Sequence, residues 1–175
     1  MNLCTRIVAL FPAFILAALT CVHAQHATAA EKPQVTVNWT DPSQFREATL
    51  GGGLNQSNPE AWLGQFASTI RRRANKVLKT GQTLSVTITD VLLAGTVRSG
   101  RGASGVRVVG KNSPPEINLR FTLTGVDGKI IDSGDRELRD PSVLTTSLPG
   151  NSDAYAYEDK LLKNWMDKEF GDPGK

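Results

Sequence analysis

The most constraining feature of the sequence is an alternating segment followed by a tight-turn signal. From 117 to 124, apolar and polar residues alternate, and the apolar set is Ile117, Leu119, Phe121 and Leu123. Asp127-Gly128 favours a two-residue hairpin turn, so we predict that 129–138 returns as the partner strand. A hairpin with one apolar face needs a second layer to cover that face.

Two amphipathic helices are predicted to supply this layer. The first begins at Asn58 with Pro59 in the first helical position, or at Ser57 with Glu60 as a capping box, and is predicted to end at Gly81. The second is predicted to begin after Asp153 and to end at Gly171; its apolar face is Leu161, Leu162, Trp165, Met166 and Phe170.

Further β-type segments occupy 35–39, 84–93 and 106–109, with a glycine-rich loop from Gly95 to Gly105. The predicted order is therefore β-α-β-β-β-β-α. We expect a single α+β domain over 35–175, a two-layer sandwich with both helices on one face of a largely antiparallel four- or five-stranded sheet.

The N-terminus has the pattern of a secretory signal peptide over residues 1–24. Arg6 precedes an apolar stretch from Ile7 to Leu19, and Val22-His23-Ala24 matches a cleavage site, with an alternative near 29–30. The stretch is shorter than the roughly 20 residues of a spanning helix, so we expect no membrane anchor after cleavage. We expect 25–34 to be a flexible tail and the mature protein to lie in the periplasm.

Cleavage would remove most of the reactive side chains. The chain has two cysteines and two histidines; Cys4, Cys21 and His23 leave with the leader, and His26 remains in the tail. Ala18 and Thr20 depart from the residues that a lipid-attachment site requires before Cys21. We therefore expect no disulfide, no thiol nucleophile, no Cys/His zinc site and no Ser-His-Asp triad, and we assign no catalytic residue, metal or cofactor.

Positive charge is concentrated in the middle of the chain. Between Arg71 and Lys111 the only acidic residue is Asp90. We predict that this region forms an electrostatic binding surface for an anionic envelope component or an acidic protein. The predicted binding residues are Arg98, Arg101, Arg107 and Lys111. The alternative is a solvated basic loop without a partner. Nucleic acid is not expected as a partner, because this loop has no aromatic residues for base stacking.

The same loop contains Gly100-Arg101-Gly102-Ala103-Ser104-Gly105, which matches G-x-G-x-x-G. A dinucleotide site needs a helix after this motif, whereas here a strand is predicted, so we interpret the segment as a loop.

Asp90 falls on the apolar phase of its predicted strand, and Arg73 lies close to the apolar stripe of the first helix. We predict that the two form an ion pair between helix and sheet, because a buried carboxylate needs a partner. The alternative places Asp90 in a bulge at the end of the strand.

Two other functions remain open from the residues. Asp132, Asp135 and Glu137 lie in one predicted strand, and paired carboxylates on one face could serve an envelope glycan hydrolase. An exposed sheet edge could make the protein an assembly module.

Several short blocks resemble an exported family of Gram-negative bacteria, domain of unknown function 3016. The resemblance extends from about Val35 to Trp165. The blocks are Val35-Thr36-Val37-Asn38-Trp39-Thr40-Asp41-Pro42 with Phe45, Asp90-Val91-Leu92-Leu93-Ala94-Gly95, Asp127-Gly128-Lys129, Gly134, Leu138-Arg139-Asp140, Tyr157-Glu158, Leu161-Leu162 and Trp165. The resemblance implies a periplasmic single-domain protein and no particular activity. From the export signal, the absence of histidine and cysteine in the predicted domain and the lack of a convergent polar constellation, we expect a non-enzymatic protein that binds or supports an envelope component.

Overall fold

The structure, a computed structural model, describes residues 32–50, 58–98, 106–110, 112–145 and 154–171. The predicted signal peptide, the tail up to Glu31 and the glycine-rich loop tip lie outside these ranges. The elements in chain order are β1 (Gln34–Trp39), α1 (Arg46–Leu50), α2 (Pro59–Val77), β2 (Thr83–Leu92), β3 (Thr96–Arg98), β4 (Val106–Val108), β5 (Glu116–Thr124), β6 (Ile130–Arg139) and α3 (Ala156–Phe170). Single 3-10 turns occupy Pro42–Gln44 and Pro141–Thr145.

The main sheet has four strands in the order β1-β2-β5-β6. β1 and β2 run parallel, with α2 in the crossover between them, and the other two pairs are antiparallel. β3 and β4 form a separate two-stranded ribbon; β3 lies within the predicted glycine-rich loop, and β4 confirms the β-type segment predicted at 106–109. The predicted α+β class and largely antiparallel sheet are confirmed, and the short helix α1 is an addition that the sequence did not predict.

Local sequence explains the helix ends. The Asn58 side chain accepts a 3.1 Å hydrogen bond from the N–H of Glu60, and Pro59 takes the first helical position, as predicted. α2 ends at Val77, before the predicted Gly81; Gly81 instead has a φ of 76° in the turn that leads to β2. α3 ends at Phe170 with Gly171 as its C-cap, as predicted, but its N-cap is Tyr155 and not Asp153.

The core lies between the sheet and the helices α2 and α3. Strand residues such as Leu84, Val86 and Phe121 are buried on this face. The Phe121 ring lies 6.1 Å from that of Trp165 and 5.4 Å from that of Phe170, so α3 covers β5. The helices therefore cover one face of the central strands β2 and β5, and the polar positions of these strands lie mostly on the other face.

A β-bulge changes the face on which the end of β2 presents its residues. Ile88 pairs with Leu119 of the core, but the register then shifts and Asp90 pairs with Asn118. Leu119 and Asn118 point to opposite faces because they are adjacent in a strand. Asp90 consequently lies on the face away from the helices.

Candidate functional site

Charged side chains from five elements meet at one end of the sheet. The end of β2, the start of β5, the end of β6, helix α1 and the start of α3 all contribute a charged or hydrogen-bonding group. These contacts join residues that are 23 to 70 positions apart in the chain. The end of the sheet is therefore the part of the described chain where distant functional groups converge.

Asp90 pairs with Arg46, which corrects the predicted Arg73–Asp90 ion pair. Asp90 Oδ1 accepts a 2.7 Å hydrogen bond from the backbone N–H of Arg46, and Oδ2 pairs with the Arg46 side chain. The bulge turns Asp90 away from the helix layer, whereas Arg73 projects from α2 within that layer. Arg73 instead pairs with Asp167 of α3. The predicted pair is wrong, although Asp90 was correctly identified as a carboxylate that needs a partner.

Glu116 bridges two arginines beside Asp90. Its Oε2 accepts a 2.7 Å hydrogen bond from Nη1 of Arg46, and its Oε1 lies 3.2 Å from Nε of Arg139. The hydrogen bond to Asp90 is the largest of several effects that raise the pKa of Arg46. Asp90, Arg46, Glu116 and Arg139 form a continuous row of alternating charges that we call the end cluster.

Arg107 is the one member of the predicted binding surface whose side chain the structure describes. It pairs with Glu47 of α1, and its Nη1 lies 3.3 Å from the carbonyl oxygen of Ala94. Glu47 also accepts a 2.9 Å hydrogen bond from the N–H of Leu93. Arg107 thus ties the β3–β4 ribbon to the end of β2 and is engaged within the fold.

The other three predicted binding residues are not brought into that arrangement by any described contact. Arg98 is the last residue of β3, and its side chain lies outside the described part of the structure. Arg101 and Lys111 also lie outside the described residues. Their role as an anion-binding surface stays a prediction.

Glu158 is the most buried acid in this region, at 2% exposure. Its Oε1 accepts a 2.6 Å hydrogen bond from the N–H of Ala94, and Oε2 has no hydrogen-bond partner among the described residues. Burial is the largest effect and raises the pKa of Glu158, against the opposing influence of that hydrogen bond and of Arg107. The sequence analysis did not select Glu158, because an acid in the first turn of a helix is common.

The hairpin carboxylates lie in a different environment. Asp132, Asp135 and Glu137 are exposed, and Asp135 pairs with Arg120 across the outer face of the sheet. Both side chains of that pair are about two-thirds exposed or more, at 67% and 71%. A glycosidase needs a general acid whose pKa is raised by burial, so these positions do not favour the hydrolase alternative.

The β6 edge carries features that discourage pairing with another sheet. Asp132 pairs with Leu123 in register and Arg136 with Leu119, so both place charge on the core side of the strand. A register shift opposite Leu123 and Thr124 adds a bulge near the hairpin tip. These features disfavour assembly through the β6 edge.

The outer surface of α2 carries cations that no described acid pairs with. The residues, which we call the basic helix face, are Arg71, Arg72 and Lys76 of α2 and Lys79 just after it; all four are exposed. Arg72 donates a 3.1 Å hydrogen bond to the hydroxyl of Thr69, and none of the four forms an ion pair with a described acid.

Sequence reasoning missed Arg46, Glu47 and Glu116 as members of the charged end of the sheet. Arg46 and Glu47 follow a proline-containing turn and show no periodic pattern, so only the folded chain gives them partners. Within the described ranges, no group of three or more potential ligands is placed to hold a metal ion.

Comparison with known families matches residues 33–168 to a profile described as a protein of unknown function, DUF3016. The search of curated proteins finds no match. None of the helices in the described part of the chain has the length and apolar character needed to cross a membrane. The segments that carry the sequence resemblance include Asp90–Gly95, Leu138–Asp140 and Tyr157–Glu158, and all three contribute to the charged end of the sheet.

Proposed function

Because this chain belongs to the DUF3016 family of proteins of unknown function, we propose its role from its surface: an exported, non-enzymatic protein that binds a phosphate-bearing anionic component of the bacterial envelope. We place the contact on the basic helix face, Arg71, Arg72, Lys76 and Lys79. The resemblance to an exported family and the signal-like N-terminus support the periplasmic location.

One observation carries the proposal: the cations of the basic helix face are free of described acids, whereas other arginines are used inside the fold. Each of the following contacts at least one acidic side chain: Arg46, Arg73, Arg107, Arg120, Arg136 and Arg139. Uncompensated charge on a rigid element is available to an external anion without breaking an internal pair.

The geometry of α2 places Arg71, Arg72 and Lys76 on its exposed side, and Lys79 follows the end of the helix. At about 100° per residue, Arg72 and Lys76 are about 40° apart around the helix, and Arg71 is about 100° from Arg72 on the opposite flank. The residues between and around them on this exposed surface are small or polar and include Ser68 and Asn75. Guanidinium groups donate bidentate hydrogen bonds to phosphate, which favours a phosphate-bearing partner.

Binding through this surface would be electrostatic and reversible. Each Lys or Arg near an anionic membrane surface contributes about 1 kcal/mol, and the exposed side of α2 has no large apolar residue to insert. Interactions of this kind are screened when the Debye length falls to about 3 Å at 1 M salt. The proposal therefore predicts weak, salt-sensitive association.

The test is co-sedimentation with vesicles of phosphatidylglycerol and phosphatidylethanolamine. The protein is purified in the form that cells produce after any signal-peptide cleavage. We expect binding at low salt, loss of binding at 1 M salt and no binding to vesicles of phosphatidylethanolamine alone. The triple variant Arg71→Glu, Arg72→Glu, Lys76→Glu should lose binding and keep its thermal unfolding midpoint.

A matched variant controls for net charge. Arg120→Glu, Lys168→Glu, compared with Arg72→Glu, Lys76→Glu, makes the same change of charge at exposed positions on the outer sheet face and on the side of α3 next to β6, and it should retain most of the binding. Equal loss in both variants, or no binding by the wild type, would overturn the proposal. If Arg98→Glu, Arg101→Glu abolishes binding while the α2 variant does not, the site is the ribbon predicted from sequence instead.

A further inference from the structure

A cavity of about 290 Å³ opens beside the end cluster, on the sheet face away from the helices. Leu92, Glu116 and Arg139 lie in one row across β2, β5 and β6, since Leu92 pairs with Glu116 and Glu116 with Arg139. Leu50 of α1 and Val97 of the ribbon also line the cavity. The cavity is separate from the basic helix face, so the two can be tested independently.

The wall of the cavity combines an apolar body with a charged border. Leu50, Leu92, Val97 and Pro114 supply apolar surface, and Glu116 and Arg139 supply charge. Leu50 is 70% exposed, so part of its apolar area is open for a ligand to cover. A small, mostly apolar cavity with a few convergent polar groups is typical of a ligand site.

Among the charged groups at this border, the unused hydrogen-bonding capacity consists of donors. Both carboxylate oxygens of Glu116 are engaged, one by Arg46 and the other by Nε of Arg139. The two terminal nitrogens of Arg139 have no partner among the described residues, and its side chain is 56% exposed. Nη2 of Arg46, on the same carboxylate bridge, is buried and is also without a partner in the described part of the chain. The other polar residues of the lining, Thr96, Asn112 and Ser113, are neutral, so the free charged donor at this border is cationic and favours an anionic ligand.

We propose that this cavity binds a small monocarboxylate with an apolar chain. Its carboxylate accepts hydrogen bonds from the terminal nitrogens of Arg139, and its chain covers Leu50, Leu92 and Val97. A volume near the lower limit of ligand pockets restricts the site to a short chain. The carboxyl terminus of a peptide that ends in an apolar residue has the same chemistry, and the experiment separates the two.

Calorimetric titration with octanoate tests the site. The protein is the form that cells produce after any signal-peptide cleavage. We expect octanoate to bind at least tenfold more tightly than acetate, which lacks the chain, and octylamine, which has the opposite charge. Arg139→Gln should weaken octanoate binding at least tenfold. Arg120→Gln, which removes another ion-paired arginine from the same sheet face, should leave it unchanged.

A second variant keeps the test valid if Arg139→Gln perturbs the end cluster. Val97→Trp fills the cavity without changing a charge, and it should abolish octanoate binding while circular dichroism shows the fold retained. Equal affinity for octanoate, acetate and octylamine would overturn the proposal, as would unchanged binding in the Val97→Trp variant. Binding of a peptide with a free C-terminal leucine, without binding of octanoate, would overturn the small-molecule assignment.

Discussion

Glu158 accepts a 2.6 Å hydrogen bond from the N–H of Ala94 through Oε1, and this contact joins the first turn of α3 to the segment after β2. The second oxygen of this nearly inaccessible carboxyl group has no partner among the described residues. On folding, Oε2 of Glu158 loses its hydrogen bonds to water and gains none from the described residues. The ionised form of Glu158 is therefore destabilised in the folded protein.

We expect Glu158→Gln to gain stability relative to wild type as the pH rises. Burial raises the pKa of Glu158 in the folded state above the unfolded value of about 4.3, so the folded protein holds this proton to higher pH. The stabilising contribution of the protonated Glu158 side chain is fully present below its unfolded pKa. This contribution is lost as the pH rises through the folded pKa. Gln can still accept from Ala94 and carries no charge at any of these pH values.

The measurement is urea unfolding followed by tryptophan fluorescence from pH 4 to pH 8. The free-energy difference between Glu158→Gln and wild type should shift in favour of the variant across this range. Glu60→Gln, at an exposed first-turn acid of α2, is the matched control; its free-energy difference should not shift in favour of the variant, because a helix N-terminus favours an ionised acid. A constant difference for Glu158→Gln would contradict the assigned effect of burial.

The two ion pairs that replace the predicted Arg73–Asp90 pair should differ in strength. Asp90 accepts from both the backbone and the side chain of Arg46, and its own side chain is mostly buried. Asp90→Ala leaves these donors unsatisfied and should cost about 2–4 kcal/mol of unfolding free energy. Asp167→Ala removes a solvent-exposed partner of Arg73 and should cost about 0–1 kcal/mol.

Chemical denaturation of Asp90→Ala, Asp167→Ala and Arg73→Ala measures this order directly. The double variant Arg73→Ala, Asp90→Ala should be additive, because these residues have different partners and lie on different sides of the sheet. A coupling energy above about 1 kcal/mol between Arg73 and Asp90 would restore the pairing predicted from sequence.

Local patterns predicted the elements but not their long-range partners. The strand at Glu116–Thr124 and the cap at Asn58 follow from alternation and side-chain chemistry within a few residues, and both are confirmed. The parallel pairing of β1 with β2 depends on the path of α2, which no local pattern specifies. The position of Asp90 on the apolar phase of its strand correctly indicated a carboxylate that needs a partner. The bulge before Asp90 turns its side chain to the other face of the sheet, so its partner is Arg46 and not Arg73.

Arg136 should stabilise the protein through its pairing with Glu169, and this contribution should disappear in acid. Its guanidinium donates a 3.0 Å hydrogen bond from Nε to Glu169, and its central carbon lies 4.8 Å from the centre of the Phe121 ring. The hydrogen bond from Arg136 is the main cause that lowers the pKa of Glu169. Because the pKa of Glu169 is lowered in the folded state, its ionised side chain stabilises the fold above the unfolded pKa. This stability is lost as the pH falls through the folded pKa of Glu169.

Arg136→Met is therefore expected to be destabilising at pH 7, by about 1–3 kcal/mol, and less so at pH 3. Arg120→Met is the control, because its partner Asp135 is exposed and the loss at pH 7 should stay below about 1 kcal/mol. Urea unfolding at both pH values measures the differences. A cost for Arg136→Met that does not change with pH would assign its role to packing on Phe121 alone.

Gly95 is required at the base of the β3–β4 ribbon by its backbone conformation. Its φ is 86°, and a Cβ there would lie 2.6 Å from the carbonyl oxygen of Val108, which is closer than Cβ atoms approach their neighbours in proteins. Gly95→Ala should therefore cost about 1–3 kcal/mol and loosen the ribbon. Gly64→Ala is the opposite case: this glycine lies in the exposed interior of α2, and an added methyl group would have no neighbouring atom within 4 Å, so the substitution should gain about 0.5–1 kcal/mol.

Thermal unfolding and amide hydrogen exchange distinguish the two glycine variants. In Gly95→Ala, protection should fall at the N–H of Gly95, which donates a 2.9 Å hydrogen bond to Ser113, and across the ribbon pairs, while the amides of β5 keep their protection. In Gly64→Ala the unfolding midpoint should rise with protection unchanged in the ribbon. Wild-type stability in Gly95→Ala would contradict the prediction, because the base of the ribbon would then accommodate a side chain. The ribbon would have to shift to make room for it, and the contact between Arg107 and Glu47 would not be kept.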